Sequence, residues 1–219
     1  MSEKSVIRLY HGGPVENFVP TFGLGRDQHD YGRGFYLTES VRLAKEWAVA
    51  ANTGEDGWLH VYDLDLEGLE IIDFREHGSL AWLAELMKHR EADESRYYRE
   101  NAPKFIAKYG IDISKADVVT GWRANASYFY IAKSLVRNNI GIDFLKDLLK
   151  LGDFGIQYFI RSEKSFARLT EIESLKERVP SQDFHGLYAN RDNDARLKMY
   201  DLIENDPRNE LKWTFKDVI

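Results

Sequence analysis

Asp30-Tyr31-Gly32-Arg33-Gly34-Phe35-Tyr36-Leu37-Thr38, running directly into Glu39-Ser40-Val41-Arg42-Leu43-Ala44-Lys45-Glu46-Trp47-Ala48, is the stretch around which the rest of the chain is organised. Two glycines permit positive φ or close backbone approach, a short β-prone run follows, and Thr38 is a natural cap for the next helix. Turn, strand and helix thus succeed one another within one window. Read alone, Gly-x-Gly before a strand is a turn, and Tyr36 and Trp47 are core aromatics. The stretch gains meaning from Tyr10-His11-Gly12-Gly13 upstream and Gln157-Tyr158-Phe159-Ile160 downstream.

Working outward, Val6 to His11 reads as a first strand that Gly12-Gly13-Pro14 ends, because glycine and proline break regular structure. After Thr38, Val41, Ala44, Trp47, Ala48 and Ala51 recur at helical spacing up to Asn52-Thr53-Gly54. Trp58 to Leu66 alternates as a strand does. Ser79 is placed to cap a helix carrying Leu80, Leu83, Leu86 and Met87, and a second helix runs past Pro103. Asp117 to Gly121 and Gly155 to Ile160 read as strands, with two helices between them divided near Asn138-Asn139-Ile140-Gly141. Ser162 starts a short helix, and Leu169 to Leu175 reads as a last strand. Alternating short strands and helices without repeats point to an α+β domain over 1–178. Residues 179–219 form a charged C-terminal helical extension, packed on the domain or docking a partner; Pro207 stops its helix.

Composition narrows the function classes. The 219 residues are enough to bury a substantial core in one domain. With no cysteine, a disulfide scaffold, a thiolate metal site and a cysteine nucleophile are excluded, and a reducing compartment, the cytoplasm by default, is expected. No apolar run is long enough for a membrane span, so no membrane partner is expected. Thirty basic against thirty-six acidic side chains leave a formal charge of -6, which supplies no global pull toward nucleic acid. The six histidines show neither His-x-His nor His-Glu-x-x-His spacing, so no metal is expected. A P-loop is absent, Gly32-Arg33-Gly34 precedes a strand where the dinucleotide fingerprint joins strand to helix, and no Gly-x-Ser-x-Gly elbow occurs.

Leu9-Tyr10-His11-Gly12 followed by Gly32-Arg33-Gly34-Phe35-Tyr36-Leu37-Thr38, with Ala44 and Trp47, resembles the first two blocks of the diphtheria-toxin and PARP-like ADP-ribosyltransferases. More closely, the order of these blocks through Gln157-Tyr158-Phe159 resembles DUF3990, a bacterial family of unknown function assigned to that superfamily. The likeness spans roughly Ile7 to Leu169. It implies an ADP-ribosyltransferase-like fold, in which two small, mainly antiparallel sheets form an NAD cleft with flanking helices. It further implies that His11 binds the ribose next to nicotinamide, that the Gly12 backbone holds the nicotinamide amide, and that Tyr36 supports the ring from one face. Trp47 falls where a second aromatic stacks on that ring. Two π faces around a flat cation make physical sense, at about 0.5 to 2 kcal/mol per contact.

The third block departs from the pattern. Where PARP-like transferases carry a glutamate touching the ribose 2′-hydroxyl, this chain has Gln157, which accepts a hydrogen bond but brings no charge. Asp153 and Asp30 are other carboxylates placed to serve, and Ala124-Asn125-Ala126 replaces an acidic pair common in the family. Arg26 and Arg33 are candidate fork donors for the pyrophosphate against the default of solvated loop arginines, and Arg33 and Thr38 complete the expected cofactor-binding set with His11, Gly12, Tyr36 and Trp47. The resemblance implies a mono-ADP-ribosyltransferase with NAD as co-substrate and a macromolecular target, protein or nucleic acid. A small domain of this type suggests the toxin of a toxin–antitoxin or anti-phage system with a neutralising partner. A catalytically silent NAD or ADP-ribose binding module and an NAD glycohydrolase are the alternatives.

Overall fold

The first strand, β1 (Val6–Gly13), continues through both glycines, two residues past the stop that their breaker chemistry suggests. Gly12 is needed for a different reason: a Cβ there would stand 1.8 Å from the Ala44 carbonyl oxygen, so only glycine lets the following helix lie directly on the strand. The computed structural model describes residues 5–50, 53–90, 95–124, 126–148, 151–207 and 213–219. Ala51 and Asn52 at the expected end of the first helix, and Asn125, lie outside the described residues.

β2 (Phe35–Thr38) leads into α1 (Val41–Ala48). The cap of α1 is Ser40 and not Thr38: Ser40 Oγ accepts from the Leu43 N–H at 3.2 Å. Thr38 is still extended strand, and its hydroxyl donates to the Ile156 carbonyl at 3.1 Å while accepting from the Ser40 N–H. A cap must sit immediately before the first helical turn, and Thr38 is committed to the sheet. β3 (Gly57–Asp65) and β4 (Ile71–Asp73) follow, then α2 (Phe74–His77), α3 (Ser79–His89) and α4 (Arg96–Tyr109). Ser79 is the first helical residue of α3, preceded by Gly78 at φ 87°, and so is not its cap. α4 runs through Pro103, as its apolar spacing requires.

β5 (Val118–Trp122), α5 (Ala126–Val136), α6 (Leu145–Leu148), β6 (Ile156–Ile160) and α7 (Glu163–Ala167) complete the middle. The expected last strand is broken: β7 (Leu169–Glu171) passes through a single 3-10 turn into β8 (Glu177–Val179). α8 (Ser181–Phe184), α9 (Leu187–Asn205) and α10 (Phe215–Val218) end the chain.

The strands form one mixed sheet of eight in the order β4-β5-β6-β2-β1-β3-β7, with β8 also on β3; two separate small sheets do not occur among the described residues. Every pairing is antiparallel except β4 with β5. The sheet is continuous because Tyr10 pairs with Thr38, the single registered pair between β1 and β2. By contrast β1 pairs with β3 along its whole length, from Val6↔Asp65 to Gly13↔Trp58. The expectation of two sheets thus survives only as two halves meeting at a narrow join.

Each half has its own cover. α3, α4 and α5 bury Trp82, Phe105 and Tyr128 against Val119 and Phe159 of the β5–β6 half. Full burial of such side chains contributes about 1.5–3 kcal/mol each, and this is the largest cluster. The opposite face holds Leu9, Phe35, Leu37, Tyr62 and Ile160. α1 places Ala44 and Ala48 on Leu59, Val61 and Val179 of the other half. Met199 of α9 with Phe215 and Val218 of α10 joins the helical cluster, so residues beyond 179 pack into the same core. No helix of the described residues is long and apolar enough to cross a membrane.

Candidate functional site

Beyond the Tyr10–Thr38 pair the two central strands part, and the His11 ring stands in the gap. Its Nδ1 lies 2.9 Å from the Tyr36 carbonyl oxygen. A carbonyl only accepts, so Nδ1 carries the hydrogen and Nε2 is left as an acceptor. Phe35 and Phe18 pack on the ring at 4.7 and 5.2 Å between centroids. Burial lowers the His11 pKa to about 4, helped by His60 and Arg123 and opposed by the bond to Tyr36. The ring is therefore neutral at pH 7, able to accept a hydrogen bond from a hydroxyl.

Adjacent strand residues face opposite ways, so Tyr36 turns its ring away from Phe35 and His11, onto Phe159 at 4.8 Å and His29 at 5.4 Å. The Tyr36 hydroxyl donates to the Gly32 carbonyl at 2.7 Å and accepts from the Tyr31 N–H at 3.0 Å. It thereby ties down the turn whose Gly32 has φ 86°. Burial raises the Tyr36 pKa, so the phenol stays protonated and serves as a brace. The Tyr31 hydroxyl in turn donates to the Trp122 carbonyl at 3.1 Å and receives the Trp82 indole N–H at 3.0 Å.

Gln157 lies opposite Thr38 in the β2–β6 register and opposite Gly121 on β5. A Cβ at Gly121 would meet the Tyr31 hydroxyl at 2.7 Å, so the missing side chain makes room for this centre. The Gln157 amide nitrogen donates to Asp30 Oδ2 at 2.8 Å and toward the Trp122 carbonyl at 3.2 Å. Asp30 is buried, and its carboxylate also accepts from the Ala124 N–H at 3.0 Å and from Arg90 Nη1 at 2.5 Å. Arg90, at the end of α3, lies over the Phe129 ring at 4.4 Å. Hydrogen bonds thus connect the Tyr36 hydroxyl to the Tyr31 N–H, and the Tyr31 hydroxyl and Gln157 to the same Trp122 carbonyl, with Asp30 and Arg90 beyond; His11 joins only through the Tyr36 backbone carbonyl.

Trp47 stands apart from this chain. The guanidinium of Arg123 lies 4.0 Å over its ring, and Tyr188 of α9 packs on it at 4.7 Å. Burial pulls the Arg123 pKa down to about 10, which leaves a planar cation on the indole at neutral pH. The neighbouring Glu46, fully buried, holds Arg191 of α9 at 2.6 Å and Arg42 at 3.2 Å. Among the described residues no ring contact joins Trp47 to Tyr36.

The structure thus places Tyr36, Thr38 and Gln157 on one face of the sheet and the His11 ring on the other with Phe35, tied to Tyr36 through the Tyr36 backbone carbonyl and followed in β1 by Gly12. It does not bring Arg33 there: that side chain is exposed, pairs with Asp27 at 2.7 Å, and lines a groove of about 410 Å3 with Lys88, His89 and Arg161. Asp153, with φ 47°, lines a second groove of about 500 Å3 between Arg42 and α9. Sequence reasoning missed Arg90, Arg123 and Tyr188. Only Arg123 gave a signal, as a cation directly after the β5 strand. Among the described residues no group of three His, Asp or Glu is arranged to hold a metal.

The family described as "Protein of unknown function (DUF3990)" matches this chain over residues 7–170. That span includes every bonded member of the chain from His11 to Gln157 and excludes Tyr188 and Arg191 of α9. No curated protein and no solved structure matches the chain.

Proposed function

Since the chain belongs to the DUF3990 family, whose function is unknown, we propose an activity from the site itself: the protein is an NAD-dependent mono-ADP-ribosyltransferase acting on a macromolecular target. The observation that carries this reading is the set of hydrogen bonds that ties His11 to the Tyr36 backbone and, through Tyr31 and the Trp122 carbonyl, relates the Tyr36 side chain to Gln157 beside the join of the two halves of the sheet. These are the three positions at which the sequence resembles the transferase blocks. On this reading the fold is a variant of the ADP-ribosyltransferase fold in which the two sheets remain joined at Tyr10 and Thr38.

The residues suit NAD. His11 Nε2, neutral and unprotonated, accepts from a ribose hydroxyl. Trp47 is a platform for a planar cation, since Arg123 already occupies it as one, and nicotinamide in NAD is a planar cation too. Binding on that face requires Arg123 and Tyr188 to yield. In the reaction the bond between ribose C1′ and the nicotinamide nitrogen breaks, nicotinamide leaves neutral, and a nucleophile on the target bonds to C1′ and loses its proton to solvent. Orientation of the sugar and hydrogen bonds to its hydroxyls carry the catalysis, with no general base required at C1′. A toxin role, neutralised by a partner protein, follows from fold-level analogy.

The coverage of Trp47 and the pairing of Asp30 with Arg90 favour one second reading, a silent NAD or ADP-ribose binding module. Incubating the full chain with NAD labelled in its adenylate part and a cell lysate separates the two. Label fixed to macromolecules is expected. Free labelled ADP-ribose alone indicates a glycohydrolase, and saturable binding without either product supports the silent module. Absence of any binding sinks all three.

A further inference from the structure

Gln157 stands where a glutamate is expected from the resemblance, and its surroundings give a reason. Asp30 Oδ2 at 2.8 Å and the Trp122 carbonyl at 3.2 Å flank the same end of its side chain. Both are acceptors, so that end can only be the NH2 group, and the amide orientation is chemically fixed. Gln157 is buried at 3% exposure and Asp30 at 7%, so neither contact is a solvent-softened one. A glutamate at 157 would set a second carboxylate oxygen against Asp30 and against a carbonyl, with Arg90 in contact and Arg123 further off to compensate.

We propose that Asp30 is the positioning residue of this site: it anchors the Gln157 NH2 group, leaves the amide oxygen as the acceptor that Gln157 offers a substrate hydroxyl, and makes an amide obligatory at 157. The proposal rests on the NAD reading for the identity of that hydroxyl, the ribose 2′-OH, and on geometry alone for the pairing. Asp30 is itself held from three sides, by Arg90 at the end of α3, by the Ala124 N–H after β5, and by Gln157 on β6. It acts through Gln157 and does not touch substrate. A loop carboxylate and a strand amide thus share the work for which the resemblance leads one to expect a single glutamate.

The test is a double-mutant cycle on the full chain: Gln157→Glu, Asp30→Asn, and both together, each read by melting temperature from pH 5 to 8 and by NAD turnover. The charged and titratable groups facing the pair are Arg90 and Arg123, which attract it, His29, and the phenols Tyr31, Tyr36, Tyr128 and Tyr188. None of these phenols titrates in that range. Two carboxylates in one site hold a proton between them, so Gln157→Glu should melt about 5 °C below the parent at pH 8 and recover toward pH 5. Its turnover should fall at least tenfold at pH 8. Adding Asp30→Asn should restore both, since the introduced amide donates to the new carboxylate, and should flatten the pH dependence. Restored turnover is a readout that a merely structural contact would not move.

A Gln157→Glu protein that melts and turns over like the parent at pH 8 overturns the proposal, as does a double variant no better than the worse single one. The melting arm needs no NAD. If the coupling appears there while the parent neither binds nor cleaves NAD, the NAD reading fails and the Asp30–Gln157 pairing stands.

Discussion

The two sides of the candidate site are built differently. On the side of His11, Tyr36 and Gln157, every hydrogen-bond partner is a backbone group or the buried Asp30, held by β2, β6 and the turn that precedes β2. On the side of Trp47, the indole is faced by two long side chains, Arg123 and Tyr188, and the second comes from a helix outside the family match. The first side is preorganised because moving it would break the sheet. The second is made of side chains alone, so uncovering the indole takes rotamer changes of Arg123 and Tyr188 and leaves the sheet intact. On the proposed NAD reading, recognition of a sugar hydroxyl would fall to the braced wall and access to an aromatic platform to the side-chain one.

The contrast breaks hardest at Gly12. Gly12→Val would drive a side chain into the Ala44 carbonyl and the Ala48 N–H, 1.8 and 2.7 Å from the Cβ, and lift α1 with Trp47 away from β1. A loss of about 3 kcal/mol or more is expected in chemical denaturation, and a variant that unfolds with the parent contradicts the packing described.

Acid should act on the braced wall next. The unfolded His11 takes up a proton with a pKa near 6.5 and the folded one only near 4, so between these values the unfolded state holds more protons. Stability is full above pH 6.5 and is lost as the pH falls toward 4, by roughly 2–3 kcal/mol from this residue. Denaturation midpoints across that range, compared with those of His11→Gln, should show a shallower slope in the variant; equal slopes assign the acid sensitivity to another group.

Tyr36→Phe keeps the ring on Phe159 but strands the Tyr31 N–H and the Gly32 carbonyl. It should cost about 1–2 kcal/mol and lower NAD turnover, because the Gly32 turn and Tyr31 lose their brace. The side-chain wall should respond least in stability and in the opposite sense in binding. Tyr188→Ala uncovers Trp47, costs about 1 kcal/mol, and should lower the KM for NAD about threefold with kcat nearly unchanged. A raised KM would mean that Tyr188 helps to hold the ligand and does not cover the platform.

Much of this arrangement was legible in the chain. The alternation from Trp58 to Leu66 and the run from Gly155 to Ile160 became β3 and β6 because both strands bury apolar side chains on both faces of the sheet. β8 was not legible, since Glu177 and Arg178 carry no apolar alternation and the strand exists only because β3 has a free edge there. Ser40 and Thr38 are both good capping residues, and the sheet decided between them by taking Thr38 for β2. Asp30 could be suspected as a carboxylate, but its pairing with Gln157, Ala124 and Arg90 depends on contacts between distant parts of the chain. Tyr188 carried no local signal, because a tyrosine in a mostly polar helix reads alike whether it covers an indole or meets solvent.

The single registered pair between Tyr10 and Thr38 also divides the molecule as a mechanical object. Each side of that join has its own ladder, so breaking the pair leaves both sides internally bonded, while the apolar layer of Leu9, Phe35, Leu37, Tyr62 and Ile160 spans the join on one face. In backbone pairing the thinnest line through the sheet therefore runs past His11 and the Tyr36 carbonyl, and a fluctuation that also parts that apolar layer would open the protein along the candidate site. Amide hydrogen exchange should then resolve two cooperative blocks meeting at that line.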